Sequence, residues 1–286
     1  MRILNKAELP PLLREIPDAP GKLYLEGTLP DQKENVYLTV VGSRRASGYG
    51  KDACHKIIAG LAGYPIVIVS GLAIGIDSLA HREAMRAGLK TVAIPGSGLD
   101  RKVIYPSSNA SLADEILENH GALLSEYEPD QKATLYSFPE RNRIMAGMAK
   151  AVLVIEAGQK SGTLITARLA LDYNRDVLAV PGSIFSPNSL GTNWLIREGA
   201  SPVTSSAELL IALGFDMPEN GGSQRTPFDL TEAEKKVFYF LTDPLPQDDL
   251  IKALGLEISE ANALIVSMQM KGFIKERDGE LHLNIF

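Results

Sequence analysis

Short apolar runs alternate along residues 36–213 with segments in which apolar side chains recur every three or four positions. Unbroken apolar runs predict strands buried on both faces, and the recurring segments predict helices that cover them. Strands are predicted at Val36–Val41, Ile66–Ser70, Thr91–Ile94, Ala122–Ser125, Ala151–Glu156 and Val177–Val180, and helices at Lys51–Leu61, Ser78–Ala87, Ala110–Glu118, Pro139–Ala149, Leu164–Tyr173 and Asn188–Arg197. The alternation predicts an α/β fold, an extended Rossmann-like, doubly wound and mostly parallel sheet.

A different pattern begins beyond this region. Residues 217–227 combine proline, glycine and polar side chains and are interpreted as a linker between a large domain, residues 1–216, and a small one, residues 228–286. In the small domain, three helical segments precede two short alternating runs around Asp278-Gly279, a dipeptide that favours a two-residue hairpin turn. Three helices and a terminal hairpin predict a winged helix.

Charge is divided unevenly between these two predicted domains. The net charge of the 286 residues is −6, and residues 226–286 hold six lysines and arginines against eleven aspartates and glutamates, a net charge of −5. The third helical segment, Ser259–Met270, carries Glu260 and no basic residue. A DNA-reading winged helix presents basic residues on that helix. The small domain is therefore predicted to contact protein and not to be the main DNA site.

Composition narrows the class of protein. Hydrophobic residues make up 45% of the chain, and Cys54 is its single cysteine, so no intramolecular disulfide can form and a reducing compartment is expected. The amino terminus has no apolar signal segment, and the longest apolar tract is too short and glycine-broken to span a bilayer. A cytoplasmic protein without membrane association is expected.

Three predicted strands end in loops of small residues that lead into a helix. Open α/β sheets bind ligands at the carboxyl ends of their strands, and helix amino termini attract anions, so these loops predict a phosphate site. Glycines that serve only to make tight turns are the alternative interpretation. The loops contain Gly42-Ser43-Arg44-Arg45-Ala46-Ser47, Ser70-Gly71 and Lys160-Ser161-Gly162-Thr163.

A fourth segment, residues 138–144 (FPERNRI), begins a predicted helix with proline in its first turn. An aromatic residue can stack on a base, arginines can meet phosphates and an asparagine can bond a base edge, so Phe138, Arg141, Asn142 and Arg143 suit single-stranded nucleic acid. The alternative is an ordinary capped helix whose arginines form surface ion pairs. We expect Arg141 and Arg143 to line one basic pocket with Arg44 and Lys160.

The sequence motifs of nucleotide-binding, hydrolase and metal sites are absent from the chain. No phosphate-binding G-x-x-x-x-G-K-[ST] run, dinucleotide G-x-G-x-x-G turn or G-x-S-x-G elbow occurs, and the four histidines show no metal-ligand spacing. Asp77 and His81 are four residues apart on one helical face, and without a nucleophile nearby they are interpreted as a structural ion pair rather than an acid–base couple. No cofactor, metal or catalytic residue is predicted.

The four segments together resemble the DNA-processing protein A (DprA/Smf) family. Its G-S-R-x-x-S motif corresponds to residues 42–47, and its S-G-x-A-x-G-I-D-x-x-A-H motif to residues 70–81. Its F-P-x-R-N-R-I motif corresponds to residues 138–144, and its S-G-T/S-L-x-T-A segment to residues 161–167. The resemblance runs from about residue 12 to residue 212.

This resemblance implies a protein that binds single-stranded DNA and is not an enzyme. It also implies a homodimer that protects incoming DNA and helps load the RecA recombinase in natural transformation and recombination. The predicted DNA-binding residues are Gly42, Ser43, Arg44, Arg45, Ser47, Ser70, Gly71, Phe138, Arg141, Asn142, Arg143, Lys160, Ser161, Gly162 and Thr163.

An enzyme of another class is the alternative, a nucleoside-monophosphate phosphoribohydrolase of the lysine-decarboxylase-like family. Such enzymes carry a P-G-G-x-G-T-x-x-E run whose glutamate serves in catalysis. Here Gly162-Thr163 is followed by Leu164-Ile165-Thr166, with no acid at that place and no P-G-G before it. The missing acid favours the binding protein.

Overall fold

The computed structural model describes residues 1–216, 231–241, 244–277 and 279–283, which fall into two compact units that divide near residue 217. The predicted linker, residues 217–227, lies outside the described residues, as does Asp278 of the predicted hairpin turn. The described helices include none that is both long and apolar enough to cross a bilayer.

In the larger unit, described over residues 1–216, nine strands form one sheet. Their bounds are β1 Arg2–Asn5, β2 Lys22–Gly27, β3 Val36–Val41, β4 Ile66–Ser70, β5 Lys90–Ala93, β6 Ala122–Ser125, β7 Ala151–Val154, β8 Asp176–Ala179 and β9 Ser201–Pro202. The strand order is β1-β2-β6-β5-β4-β3-β7-β8-β9. Strands β3 to β9 run parallel, while β1 and β2 are antiparallel additions at the β6 edge.

Helices cover both faces of this sheet, because successive strand residues point to opposite faces. Their bounds are α1 Pro11–Glu15, α2 Gly48–Ala59, α3 Ile76–Arg86, α4 Ala110–Glu118, α5 Ser137–Met148, α6 Thr163–Asp172, α7 Leu190–Arg197 and α8 Ser206–Ala212. In β3, Tyr37 and Val41 join the core beneath α5 and α6, whereas Leu38 and Val40 join the core beneath α2, α3 and α8. Burying each such side chain contributes about 1.5–3 kcal/mol.

This architecture confirms the predicted fold class, and each predicted strand of the sheet lies within two residues of an observed one. The sequence pattern missed β1, β2, β9, α1 and α8. Among these, β1, β9 and α1 have five residues or fewer, and β1 and β9 lie at the sheet's edges, where β1 exposes three of its four residues. A short, mostly exposed edge strand leaves little hydrophobic pattern to detect.

The smaller unit contains three helices and a three-stranded antiparallel sheet in its described ranges. The bounds are α9 Glu232–Phe240, β10 Leu245–Pro246, α10 Gln247–Leu254, α11 Ile258–Met270, β11 Ile274–Arg277 and β12 Glu280–Leu283. A capping box begins α9, since the side chains of Thr231 and Glu234 bond each other's backbone N–H groups. The order of elements is compatible with the predicted winged helix, which stays a prediction.

Candidate nucleic-acid interface

The strand order reverses at β3, and three of the predicted loops meet there. The next strand along the chain, β4, lies on one side of β3, while β7 lies on the other. The loop after β3 leads into α2, the loop after β4 into α3 and the loop after β7 into α6. Such a switch point is where open α/β sheets form their ligand crevices.

Hydrogen bonds between the loops fix their relative positions. The Thr163 hydroxyl donates to the Gly42 carbonyl (3.1 Å), and the Ile76 N–H donates to the Ser43 carbonyl (3.1 Å). Gly75 has φ +82°, and a Cβ there would lie 2.3 Å from the Ser43 oxygen, so only glycine fits this contact. The loops after β3, β4 and β7 therefore form one rigid surface.

A cleft of about 570 Å³ opens at this switch point, and we call it the switch-point cleft. Eleven of the fifteen predicted DNA-binding residues line it, whereas Ser47, Ser70, Gly71 and Arg143 do not. The eleven are Gly42, Ser43, Arg44, Arg45, Phe138, Arg141, Asn142, Lys160, Ser161, Gly162 and Thr163.

Three cations of the cleft are free to bind an anion. Arg44, Arg45 and Lys160 are exposed, and none of them forms an ion pair with a described side chain. The Arg44 guanidinium lies over the Phe138 ring, with its carbon 5.2 Å from the ring centroid. This cation–π contact places a positive charge beside an aromatic face. The pairing suits a ligand that alternates phosphates with flat bases.

Arg141 has a different environment, although it lines the same cleft. Only 5% of the residue is exposed, and its guanidinium donates to the carbonyl oxygens of Gly71 and Ile94, at the ends of β4 and β5. Its Nε donates to the Asn142 side-chain oxygen (3.0 Å). Burial lowers the pKa of Arg141, and the neighbouring Asp77 opposes that shift. Arg141 therefore joins strand ends and has few donors left for phosphate.

The position of Arg143 shows that the prediction of four basic side chains in one pocket is wrong. Its guanidinium donates to the Glu126 carboxylate, and its Nε lies 3.8 Å from an Asp18 oxygen. The side chain is 16% exposed and does not line the cleft. Arg143 follows Arg141 by two residues on the helix, so its side chain points about 200° away around the helix axis. The F-P-x-R-N-R-I motif therefore sends one arginine inward and the other to the far side of α5.

The three other predicted residues outside the cleft, Ser47, Ser70 and Gly71, form hydrogen bonds that stabilise the loops. The Ser47 side chain caps α2 by accepting from the Gly50 N–H (3.1 Å) and donates to the buried Glu156 carboxylate. The buried Ser70 hydroxyl donates to the Val40 carbonyl (2.7 Å). Gly71 donates its N–H to Asp77 (3.2 Å) and contacts the Arg141 guanidinium. All of these groups are engaged within the protein.

Asp77 and His81 do not form the ion pair that their spacing predicted. The His81 Nδ1 lies 2.7 Å from the Thr91 hydroxyl, and burial lowers the pKa of His81 to about 3, so the ring is neutral. Burial raises the pKa of Asp77, an effect that Arg141 opposes. His81 therefore contacts Thr91, and Asp77 accepts from the Gly71 N–H (3.2 Å), rather than the two contacting each other.

Sequence reasoning also missed three residues that border the cleft. Asn188 lines it and donates from its amide to the Arg45 carbonyl (3.0 Å), which fixes that loop. Tyr105 and Ile74 lie beside Phe138 in an adjoining recess. Ile74 falls inside the motif at residues 70–81, so its apolar side chain in a glycine-rich loop was a signal that the sequence offered. Asn188 and Tyr105 are remote in sequence from the motifs they approach.

Together the fold and the cleft define a class: a Rossmann-like protein with a basic cleft at the carboxyl ends of its central strands. A family model described as DNA recombination-mediator protein A matches residues 1–214. The chain belongs to the DNA recombination-mediator protein A family, which confirms the predicted resemblance.

Individual relatives agree with this assignment. The chain is 38% identical to Protein Smf of Escherichia coli over 272 residues, covering 93% of this chain and 72% of that protein. It is 46% identical to DNA processing protein DprA of Streptococcus pneumoniae over 203 residues, covering 71% of this chain and 70% of that protein.

Solved structures show the same fold. The S. pneumoniae DprA crystal structure matches with a TM-score of 0.69 and 42% identity, over 76% of this chain and 75% of that one. The structure of DNA processing protein A from Helicobacter pylori matches with a TM-score of 0.65 and 31% identity, over 74% of this chain and 94% of that one.

Proposed function

We propose that this protein binds single-stranded DNA in the switch-point cleft and acts as a recombination mediator. The observation that carries the proposal is the set of exposed cations Arg44, Arg45 and Lys160 near the Phe138 ring, which have no ion-pair partner among the described residues. Membership of the recombination-mediator family supports it, as does the H. pylori relative, which has a single-stranded DNA binding mode.

Single strands fit this cleft better than duplex for a physical reason. Phe138 can stack only on a base whose face is free, and such stacking contributes about 1–3 kcal/mol per base. Few side chains remain to read base edges, because the Asn142 oxygen accepts from Arg141 and the Asn188 amide donates to Arg45. Binding is therefore nearly indifferent to sequence.

A competition titration tests this function. Fluorescently labelled oligo-dT is bound to the protein and displaced by unlabelled oligo-dT or by blunt duplex of equal length. We expect the duplex to compete at least tenfold less well at equal nucleotide concentration. Equal competition would contradict the proposal.

Protection of incoming DNA, RecA loading, a homodimer and a cytoplasmic location belong to the same proposal through family membership alone. A mass measurement made during the titration tests the dimer. The smaller unit supports a protein contact, since α11 exposes Ile258, Val266 and Met270 and has no basic residue.

The phosphoribohydrolase alternative has weaker support. Among the residues that line the cleft, Asp77 is the one carboxylate, and it accepts from the Gly71 N–H beside Arg141. A general base needs a free oxygen within hydrogen-bond reach of its substrate. Incubation of the protein with AMP should release no adenine, and release of adenine would favour the enzyme.

A further inference from the structure

Tyr105 lies beside the switch-point cleft, in the segment between β5 and α4. Its ring centroid is 5.5 Å from that of Phe138, with the ring planes inclined by 50°. Half of the residue, 50%, is exposed, and the neighbouring Ile74 is 46% exposed. Large apolar side chains with open faces thus continue the cleft toward the end of β5.

Phe138 itself is only partly exposed. The Arg44 guanidinium covers part of its face, and a Cβ on Gly96 would lie 2.7 Å from the ring, which shows how closely the ring packs on that backbone. Phe138 is therefore a fixed, partly buried ring, which a base can contact only on the surface that stays open. The next aromatic face that a passing strand would meet is that of Tyr105.

The recess around Tyr105 also has the charge that a nucleic-acid strand requires. It is lined by Arg44 and Arg141 together with Ile74 and Phe138, and its lining residues include no carboxylate. Arg44 belongs both to this recess and to the main cleft. A phosphate at Arg44 would therefore join a nucleotide in the cleft to a nucleotide over Tyr105.

We propose that Tyr105 is a second base-stacking position, which takes the base of single-stranded DNA that follows the Arg44-bound phosphate. The inference rests on the proposed function of the cleft. Neighbouring strands are about 4.8 Å apart, so the path from the end of β3 to the end of β5 covers roughly 10 Å. The bound DNA strand thus runs along the edge of the sheet from the end of β7 toward the end of β5.

Substitution of Tyr105 in the full chain tests the proposal. Tyr105→Ala should weaken oligo-dT binding by about 5- to 150-fold, the equivalent of about 1–3 kcal/mol for one stacked base. Tyr105→Trp should keep the affinity and add a fluorescence signal that DNA quenches, measured against the wild type with its single tryptophan. Ile211→Ala, an exposed apolar position on α8, is the matched control and should change nothing.

An abasic scan makes the test specific to stacking. A single abasic site is moved along oligo-dT, and one position should weaken wild-type binding as much as Tyr105→Ala does. At that position the substitution should cause no further loss. Thermal melts of each variant check that the fold is intact, and Tyr105→Leu, which keeps an apolar volume but no aromatic face, should behave like Tyr105→Ala.

The outcomes distinguish a failure of the Tyr105 stacking role from a failure of the proposed single-stranded DNA binding. If the wild type prefers duplex or does not bind oligo-dT, the proposed function fails. If the wild type binds single strands and Tyr105→Ala stays within twofold of it, as Ile211→Ala does, Tyr105 is no stacking position. Equal losses for the wild type and Tyr105→Ala at every position of the abasic scan would likewise overturn the stacking role of Tyr105.

Discussion

Two groups of basic side chains were predicted to share one cleft, and they differ in almost every physical respect. Arg44, Arg45 and Lys160 come from loops, are exposed and have no described ion-pair partner. Arg141 and Arg143 come from α5, are mostly buried and are bonded to carbonyl oxygens or carboxylates. In the sequence both groups look like phosphate-binding motifs.

The difference shows that an arginine in a motif can act on the protein rather than on the ligand. A buried guanidinium with several acceptors holds strand ends in place, and its removal leaves those acceptors unsatisfied. An exposed one makes few internal contacts, so its removal costs binding alone. Stability and affinity measurements should therefore separate the two groups.

The largest effect is expected from Arg141→Ala. The substitution leaves the buried carbonyl groups of Gly71 and Ile94 without their guanidinium donor and removes the positive charge near Asp77. We expect the free energy of unfolding of the larger unit to fall by about 2–6 kcal/mol, since each of the two buried carbonyl groups left unsatisfied costs about 1–3 kcal/mol. Chemical denaturation of the full chain, followed by circular dichroism, measures it.

Two companion variants test the cause of that loss. Arg197→Ala removes an exposed arginine paired with Glu198 and should change stability by less than about 0.5 kcal/mol. Adding Asp77→Asn to Arg141→Ala should cost less than the sum of the single losses, because the two groups interact. Wild-type stability in Arg141→Ala, combined with lost DNA binding, would place Arg141 in the first group instead.

A matched pair, Arg44→Ala and Arg143→Ala, tests the comparison directly through DNA binding. Arg44→Ala should weaken oligo-dT binding by about 1–3 kcal/mol without a change in melting temperature, because it breaks charge-assisted bonds to phosphate. Arg143→Ala should lower stability by roughly 1 kcal/mol or less and leave the affinity unchanged.

The salt dependence sharpens this result. Three free cations predict a log–log slope near −2, from about −0.7 per phosphate contact with a single strand. Arg44→Ala should reduce the slope by about 0.7, whereas Arg143→Ala should not alter it. If Arg143→Ala changed the slope as Arg44→Ala does, the correction concerning Arg143 would be wrong.

The sequence was sufficient to predict strands β3 to β8 and the loops that supply eleven of the fifteen predicted binding residues to the cleft. Strand ends follow from apolar runs, and glycine-rich loops at those ends must meet at one edge of a parallel sheet. The direction of each side chain did not follow, because burial of Arg141 depends on carbonyls from β4 and β5 that are remote in sequence. The same holds for Tyr105, which approaches Phe138 only through the fold.

His81 extends the comparison to a buried group that is neutral in the folded protein. The pKa of its ring falls from 6.5 to about 3 in the folded protein, so the folded state resists protonation that the unfolded state accepts. This contribution to stability is full above pH 6.5 and is lost as the pH falls toward 3. Between pH 8 and pH 5.5 the free energy of unfolding should drop by about 1.4 kcal/mol on this account.

Comparison of variants isolates that effect from other titrating groups, including Asp77, whose raised pKa acts in the opposite sense at lower pH. His81→Asn should be less stable than the wild type at pH 8 and should lose about 1.4 kcal/mol less between pH 8 and pH 5.5. His120→Asn is the control, since His120 is exposed and has a φ of 58°, which asparagine tolerates. Denaturation curves at both pH values decide the matter, because equal pH dependence in His81→Asn and the wild type would mean that His81 is not held neutral by burial.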